Sequence, residues 1–382
     1  MPANSWLSEY AAFHRAHRHD AHARFVMFSC HEKMSGAGSV CGGHGNRFRQ
    51  IVWTLRVAAG ARRVLLVDWA SPERLEDYLE PAADIDWRLT KAERALLAAP
   101  NHSHVYRMNW PNVTGLPPDT KYLRVTAGCH DAGPCYNCSD LVVNFGLAYR
   151  YLFRPTTAFH RTLHQRRLDL FGSSTSAEHV RYNSMHVRMG DSAEGSQMRS
   201  NFNSPIRDVR STLLEAAIGI WCVASATPSK HPLFVATDNA ALKEALAARD
   251  PALINASGLL GRDAFRRVVV TGCVDCMVNA VQKHNFSAEG VAAIFVDAGL
   301  LAGGADFAFM GKGSNYATWV KGWRHADLSG ADDRPSFSFP SSLHLAPSAS
   351  RQAARHACTS WLEKEVARPP APHLLRNVTA WE

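Results

Sequence analysis

The chain has 382 residues, of which 46% are hydrophobic and 20% charged, so it can bury a large core, and its composition excludes disordered, collagen-like and mini-protein classes. At about 100–200 residues per domain, this length predicts two domains. The formal charge of +8 favours an anionic partner, which a nucleic acid, a membrane surface, a nucleotide or an acidic glycan would provide.

Hydropathy gives no sign of a membrane segment. No stretch approaches about 18 uninterrupted apolar residues, and the most apolar helical segment, 213–226, contains Glu215. Residues 1–20 lack the apolar core of a signal peptide. Taken alone, these features favour a cytosolic protein.

Sequons and cysteines favour the opposite interpretation. Six Asn-x-Ser/Thr sequons occur where composition predicts about two by chance. The nine cysteines include two clusters, which are disulfides in an oxidising lumen, zinc ligands, or free buried thiols. We therefore expect a domain in the lumen of the secretory pathway, in the Golgi, whose membrane anchor lies outside this sequence. The sequons are at Asn101, Asn112, Asn137, Asn255, Asn285 and Asn377, and the clusters are Cys129, Cys135 and Cys138, and Cys273 and Cys276.

A first series of elements begins after residues 1–24, a polar segment rich in His and Arg that predicts a stem or a frayed helix. Continuous apolar runs predict buried strands, and apolar residues at helical spacing predict a helix between them. Strand, Gly-rich loop, helix and strand form a βαβ unit. The segments are strand 24–30, loop 36–45, helix 46–60, strand 63–69, strands 105–108 and 122–126, and two helices within 141–171.

A second series follows the polar segment 172–178. Its first helix has Ser204 as N-cap and Pro205 at its first position. A segment rich in Pro and Ser, 332–350, precedes a helical tail, 351–365. The elements are strand 182–187, helix 205–225, strand 233–237, helix 240–248, strand 267–270, helix 288–301, strand 307–310 and helix 315–322.

This alternation predicts the α/β class, with two Rossmann-like domains that each hold a parallel sheet and that face each other across a cleft. The predicted limits are a polar N-terminal stem over 1–24, an N-terminal domain over 25–175, a C-terminal domain over 176–345, and a tail over 346–382.

The first candidate site is the Gly-rich loop before the first helix. In doubly wound sheets, ligands bind beyond the carboxyl ends of the strands. Gly43 and Gly45 let backbone N–H groups approach an anion at the helix N-terminus, and Asn46 or Arg47 would contact a phosphate or sugar. A plain tight turn is the alternative. The run is neither GxGxxG nor a Walker motif, which disfavours NAD and P-loop sites.

The second candidate site follows strand 182–187. Because side chains alternate along a strand, His186 and Arg188 face the same side, while Val187 packs away from them. The Arg188 guanidinium suits a diphosphate. The alternative is an ion pair between Arg188 and Asp191 that closes the turn.

Two further sites follow the later strands. Asp238 either caps the next helix or holds a ribose hydroxyl. Asp297 either accepts two N–H bonds from a guanine edge or is a surface residue of its helix. Ser314 and Asn315 cap the final short helix, which is another anion site.

These motifs resemble those of the inverting fucosyltransferases with the GT-B fold, which include core α1,6, nodulation-type, xyloglucan α1,2 and protein O-fucosyltransferases. The segment 41–47 (CGGHGNR) followed by 64–69 (VLLVDW) is similar to their first βαβ unit. His186–Asp191 (HVRMGD) resembles their first motif, His-x-Arg-x-x-Asp, and 234–239 (FVATDN) their second. Asp297, with the segment 314–317, is similar to the third.

The resemblance implies transfer of L-fucose from GDP-fucose to a glycan or glycoprotein hydroxyl, with inversion and with no metal or other cofactor. The N-terminal domain would then serve the acceptor, and the C-terminal domain would bind the nucleotide sugar. Arg188 would neutralise the leaving diphosphate, His186 and Asp297 would hold guanine, and Asp238 the nucleotide region. Ser314 and Asn315 would contact phosphate. No motif fixes the base for the acceptor, for which Glu194 and Asp191 are the candidates.

Three other functions stay open from the sequence. One is a GT-B transferase that uses another nucleotide sugar, and another is a non-catalytic relative that binds a glycan or nucleotide. The third is a basic nucleic-acid binder, whose affinity would fall steeply with salt. We expect no nucleic-acid partner, and a membrane partner only through an anchor outside this sequence.

Overall fold

A computed structural model describes residues 5–30, 43–70, 73–82, 85–98, 104–106, 120–125, 141–172, 181–188, 209–226, 231–250, 266–271, 288–305, 307–310, 315–327, 336–339 and 358. Helices alternate with parallel strands in them, which confirms the α/β class. They form two compact units. Unit 1 holds the described residues up to His160 together with 321–327, and unit 2 holds the rest. The domain limits given above stay predictions.

Unit 1 is built on a four-stranded parallel sheet in the order β2-β1-β5-β4. The two strands of the βαβ unit, β1 and β2, pair in register from Phe25 beside Val64 to Cys30 beside Trp69, and all of their residues are buried. Such continuous burial is typical of strands that are covered on both faces. The strands are β1 (Phe25–Cys30), β2 (Val64–Trp69), β4 (His104–Tyr106) and β5 (Tyr122–Val125).

Helix α2 (His44–Gly60) connects β1 to β2, as predicted, although it begins two residues earlier than the apolar spacing indicated. It packs on β1 and β2 through Ile51, Leu55 and Ala58, each fully buried. The predicted βαβ unit is therefore confirmed.

The N-terminal segment differs from the predicted stem, because residues Ser5–His17 form a helix, α1, that packs into unit 1. Leu7 and Tyr10 are buried, and the Tyr10 hydroxyl donates to the Arg63 carbonyl (3.0 Å). The buried His14 imidazole bonds the Leu65 carbonyl through Nε2 (3.1 Å). The buried residues Leu7, Tyr10, Ala11 and His14 recur at helical spacing, so the sequence carried the pattern of a docked helix face.

Arg18, just after α1, holds this helix to the start of α3 (Lys91–Ala98). Its guanidinium donates from Nη1 to Glu93 Oε1 (2.7 Å) and from Nη2 to Glu93 Oε2 (2.9 Å). The Nε atom donates to the Asp86 carbonyl (2.9 Å). Since Arg18 is 4% exposed, this fork is a buried ion pair.

An antiparallel pair, β3 (Leu79–Pro81) with β6 (Phe153–Pro155), lies outside the predictions. Strands of three residues carry too little pattern to be recognised in a sequence. The two helices expected within 141–171 flank β6, as α4 (Leu141–Leu152) and α5 (Thr157–Phe171).

Unit 2 is built on a five-stranded parallel sheet in the order β11-β10-β7-β8-β9. Four of its strands match predicted ones, and β11 adds a fifth within the segment rich in Pro and Ser, where no strand was predicted. The strands are β7 (Asn183–Val187), β8 (Leu233–Thr237), β9 (Val268–Val269), β10 (Phe307–Met310) and β11 (Ser336–Phe339).

Four helices flank this sheet: α6 (Val209–Ala226), α7 (Ala240–Ala247), α8 (Ala288–Gly303) and α9 (Asn315–Asp327). A disulfide joins Cys222 of α6 to Cys358, 136 residues later, inside an apolar cluster with Met185 and Val187. Cys30 of unit 1 is also disulfide-bonded. The predicted cap at Ser204 and Pro205 lies outside the described residues. Within the described residues, no helix combines the length and apolarity that a membrane span needs.

Candidate functional site

The carboxyl ends of β7 and β8 bring Arg188 and Asp238 together. The two strands pair in register up to Val187 beside Thr237, so the residue after each strand lies at the same edge of the sheet. There, Arg188 Nη1 donates to Asp238 Oδ2 in an ion pair whose side chains are 29% and 11% exposed. This pair sits where parallel sheets bind ligands. Asp191, the other candidate partner of Arg188, lies outside the described residues.

The neighbouring Asn239 explains why Asp238 takes this partner. Asn239 Oδ1 accepts from the Leu242 N–H (2.9 Å) and caps α7. The alternative in which Asp238 caps this helix is therefore wrong, because the cap is one residue later. The Asp238 carboxylate instead fixes one branch of the Arg188 guanidinium.

His186 lies on the face of the sheet that α8 and α9 cover. Val187 points to the opposite face, into the apolar cluster around α6, which confirms the predicted alternation. The His186 ring lies 4.9 Å from the Tyr316 ring of α9, between centroids. Burial lowers the His186 pKa to about 4, so the imidazole is neutral near neutral pH.

Two hydrogen bonds fix the register of α8 on β7. The Tyr182 hydroxyl donates to the Leu300 carbonyl, and the Ser184 hydroxyl donates to the Leu301 carbonyl (both 2.7 Å). Asp297 precedes Leu301 by four residues, which is about one helical turn, or ~5.4 Å. Helix α8 runs antiparallel to β7, so the C-terminal end of the helix lies beside the N-terminal end of the strand. Asp297, one turn before Leu301, therefore lies nearer the carboxyl edge of the sheet.

Asp297 is only 5% exposed, so the alternative of a surface helix residue is wrong. Thr271 Oγ1 donates to Asp297 Oδ2 (3.4 Å), and Lys243 Nζ of α7 lies 3.9 Å from the same oxygen. Burial raises the Asp297 pKa, while Lys243 and Thr271 act in the opposite direction. A buried carboxylate with a cation beside it is a suitable acceptor for the donor edge of a base.

Tyr316 connects these groups. Its hydroxyl donates to the Ile294 carbonyl (2.9 Å) on α8, and its ring contacts His186. Burial, and then the Asp297 charge, raise the Tyr316 pKa well above its usual range. The phenol is therefore neutral, and its ring packs against the His186 imidazole.

The Gly-rich loop belongs to unit 1 and is described from Gly43 onward. Gly43 caps α2 with extended backbone, and a Cβ there would meet nothing within 4 Å. The Arg47 guanidinium lies 4.8 Å from the centroid of the Trp69 ring, and Arg47 is 5% exposed. His44 is buried against the same indole, and burial lowers its pKa well below the usual range. The Arg47 side chain is therefore part of the packed interior, while Gly45 and Asn46 contribute backbone to the first turn of α2.

Some predicted site residues lie outside the described part of the chain. These are Asp191, Glu194 and Ser314, and Asn315 is described only as the first residue of α9. The six sequons and both cysteine clusters also lie outside it.

Two residues at the site were missed by sequence reasoning, Lys243 and Thr271. A signal existed for Lys243, because Leu242 and Leu246 define the buried face of α7 and position 243 lies on that face. Thr271 carries no comparable pattern, and Tyr316 was noted only as part of the motif segment 314–317.

No protein-family model matches the chain, and no curated protein matches it. Solved structures do match. One is Arabidopsis thaliana FUT1 in complex with GDP, at 12% identity and a TM-score of 0.47, over 84% of this chain and 77% of that one. Another is the fucosyltransferase NodZ from Bradyrhizobium, at 14% identity and a TM-score of 0.45, over 78% and 92%. A third is POFUT1 in complex with GDP-fucose, at 12% identity and a TM-score of 0.48, over 84% and 98%.

The structure is therefore similar to solved fucosyltransferases, the group that the sequence motifs resemble. At these identities and TM-scores the likeness assigns no activity, which must come from the side chains at the site.

Proposed function

We propose that this protein is a glycosyltransferase that moves L-fucose from GDP-fucose to a hydroxyl of a glycan or glycoprotein, with inversion and without a metal. The observation that carries the proposal is the Arg188–Asp238 pair at the carboxyl ends of β7 and β8. Asp238 holds one branch of the Arg188 guanidinium and so fixes its orientation at this edge. The planar fork of the guanidinium matches the geometry of a diphosphate.

The chemistry needs such a group. The acceptor hydroxyl attacks the anomeric carbon of fucose while the bond from that carbon to the β-phosphate oxygen breaks, and both bonding electrons leave with GDP. Negative charge grows on the departing diphosphate, and Arg188 would stabilise it in the transition state. The hydroxyl proton passes to a carboxylate, for which Glu194 or Asp191 is the candidate.

The base of the nucleotide would lie against the buried face of α8. The Asp297 carboxylate offers two acceptors to N1–H and N2–H of guanine, and the neutral His186 ring contributes beside it. Ser314 and Asn315 would contact a phosphate at the start of α9, and Gly43, Gly45 and Asn46 complete the donor-site proposal from unit 1. The Arg47 side chain, which packs in the interior against Trp69, is left out of it.

A compartment is also part of the proposal. The Cys222–Cys358 disulfide is buried in the core of unit 2, and disulfides persist in oxidising compartments. This supports a location in the lumen of the secretory pathway, and we propose the Golgi as the compartment in which the protein modifies glycans.

The test is a thermal-shift panel with GDP, UDP and ADP, followed by nucleotide release from GDP-fucose, GDP-mannose and UDP-sugars. A ligand at 100 times its Kd stabilises the native state by about 2.7 kcal/mol, so GDP alone should raise the melting temperature clearly. Release of GDP from GDP-fucose in preference to the other donors supports the proposal. The proposal is contradicted if all three nucleotides stabilise the protein equally or if none of them does. GDP binding without turnover of any donor would show that the protein is a nucleotide-binding module instead.

A further inference from the structure

The charge beside Asp297 comes from a lysine that is almost completely buried. Lys243 is 1% exposed, and its Nζ lies 3.9 Å from Asp297 Oδ2. Within the described part of the chain, Lys243 Nζ and Asp297 Oδ1 both lack a hydrogen-bond partner. Two unsatisfied polar atoms of opposite charge, both buried, are costly unless they serve a purpose.

The titratable and polar groups that face Asp297 come from several described elements. Lys243 comes from α7, and the more distant Arg166 comes from α5. Thr271, after β9, supplies a neutral donor, and Tyr316 of α9 is held neutral by burial. His186 on β7 is neutral near neutral pH. Lys243 is therefore the main counter-charge, since the cation at α5 contributes least to the carboxyl.

We propose that Lys243 is a positioning residue for base selection, whose ammonium keeps the buried Asp297 carboxylate ionised while Oδ1 stays available to the base. This inference rests on the proposed function, in which Asp297 receives the nucleotide base. Lys243 touches Asp297 and acts through it.

The protonation state of Asp297 decides which base edge it fits. An ionised carboxylate offers two acceptors, which match the N1–H and N2–H donors of guanine. A protonated carboxyl offers one donor and one acceptor, which match N1 and N6–H of adenine instead. Removal of Lys243 leaves burial as the dominant influence, which favours the protonated form. The variant should therefore lose guanine preference on the acid side and regain it as the pH rises.

The experiment is calorimetric titration of GDP and of ADP into the wild type and Lys243→Met at pH 6, 7 and 8. Lys243→Met keeps the length of the side chain and removes its charge. Wild type should prefer GDP by a similar ratio at each pH. In Lys243→Met, GDP affinity should fall about tenfold to a hundredfold at pH 6, the range that one bidentate base contact controls. The loss should shrink toward pH 8, and the ratio of GDP to ADP affinity should fall with it.

Matched variants separate this role from a structural one. Glu244→Gln changes an exposed charge on the same helix and should leave both titrations unchanged. Asp297→Asn should weaken GDP at every pH, and the double variant Lys243→Met/Asp297→Asn should behave like Asp297→Asn alone, because the lysine acts through the carboxylate. The double variant also buries no charge, so it reports even if Lys243→Met unfolds.

The outcomes distinguish the two claims. A wild type that does not prefer GDP overturns the proposed function and this inference together. A wild type that prefers GDP, with Asp297→Asn weakened but Lys243→Met binding GDP and ADP in the wild-type ratio at every pH, overturns the role of Lys243 alone. A double variant that is weaker than Asp297→Asn by the full effect of Lys243→Met also overturns it.

Discussion

Replacement of Arg188 should remove most of the rate of transfer. In the structure its Nη1 is bonded to Asp238 Oδ2, and its side chain is 29% exposed, so a ligand can reach it. In phosphoryl transfer, an arginine that meets growing charge on a phosphate contributes about 10³–10⁵ in rate, or ~4–7 kcal/mol of transition-state free energy. Arg188→Ala should lower kcat by a factor in this range.

Two further variants test how the guanidinium acts. Arg188→Lys keeps a positive charge but loses the planar fork, so it should recover only part of the rate. Asp238→Asn leaves Arg188 in place and removes the carboxylate that holds one branch, so we expect a loss on the order of 10²-fold from misplacement.

The assay is release of GDP from GDP-fucose by purified protein, measured as kcat and KM. The control is Arg154→Ala, which breaks the surface pair of Arg154 Nε with Glu80 Oε1 (2.8 Å) and should leave both constants unchanged. An Arg188→Ala enzyme within tenfold of the wild type refutes the reasoning. So does an Asp238→Asn enzyme that is slower than Arg188→Ala.

Three stability predictions follow from the same structure. Cys222→Ser should lower the free energy of unfolding by about 2–5 kcal/mol, because the disulfide to Cys358 closes a long loop. A reducing agent should lower the melting temperature of the wild type more than that of the variant, which has already lost this bond but keeps the Cys30 disulfide. Arg18→Met should lower the free energy of unfolding in urea by about 3–5 kcal/mol, because the Glu93 carboxylate loses both hydrogen bonds from the buried guanidinium. A decrease under 1 kcal/mol would contradict the buried ion pair. Burial lowers the His14 pKa to about 4, so the unfolded chain binds this proton more tightly, and stability is lost as the pH falls from about 6.5 toward 4. His14→Gln should reduce the stability difference between pH 7 and pH 5 by about 2 kcal/mol, and an unchanged difference would show that other groups control it.

The strands and helices of the two parallel sheets were largely predictable, because buried strands and amphipathic helices leave strong periodic patterns. The βαβ unit around Phe25 and Val64 and the strands ending at Val187 and Thr237 follow from apolar runs alone. The short pair β3–β6 could not be predicted, since its stability comes from partners 70 residues away in sequence rather than from a local pattern. The docking of helix α1 was missed, although Leu7, Tyr10 and Ala11 are buried at helical spacing, because the His- and Arg-rich residues around them favoured a solvent-exposed stem or frayed helix.

At the site, the sequence indicated which residues matter better than what they touch. Arg188 and Asp238 were proposed from their motifs and their place after strands, and Asp297 was proposed from a motif on a predicted helix. Their partners depend on geometry: Asn239, one residue beyond Asp238, takes the capping role, and this allows Asp238 to pair with Arg188. The buried Lys243 beside Asp297 is brought there by the packing of two helices that are far apart in sequence.

The most direct test of the donor site is a crystal structure of the protein with GDP. We predict that the β-phosphate lies within hydrogen-bond distance of the Arg188 guanidinium and that the guanine edge faces the Asp297 carboxylate. GDP bound with its phosphates away from Arg188, or with guanine remote from α8, would contradict the account.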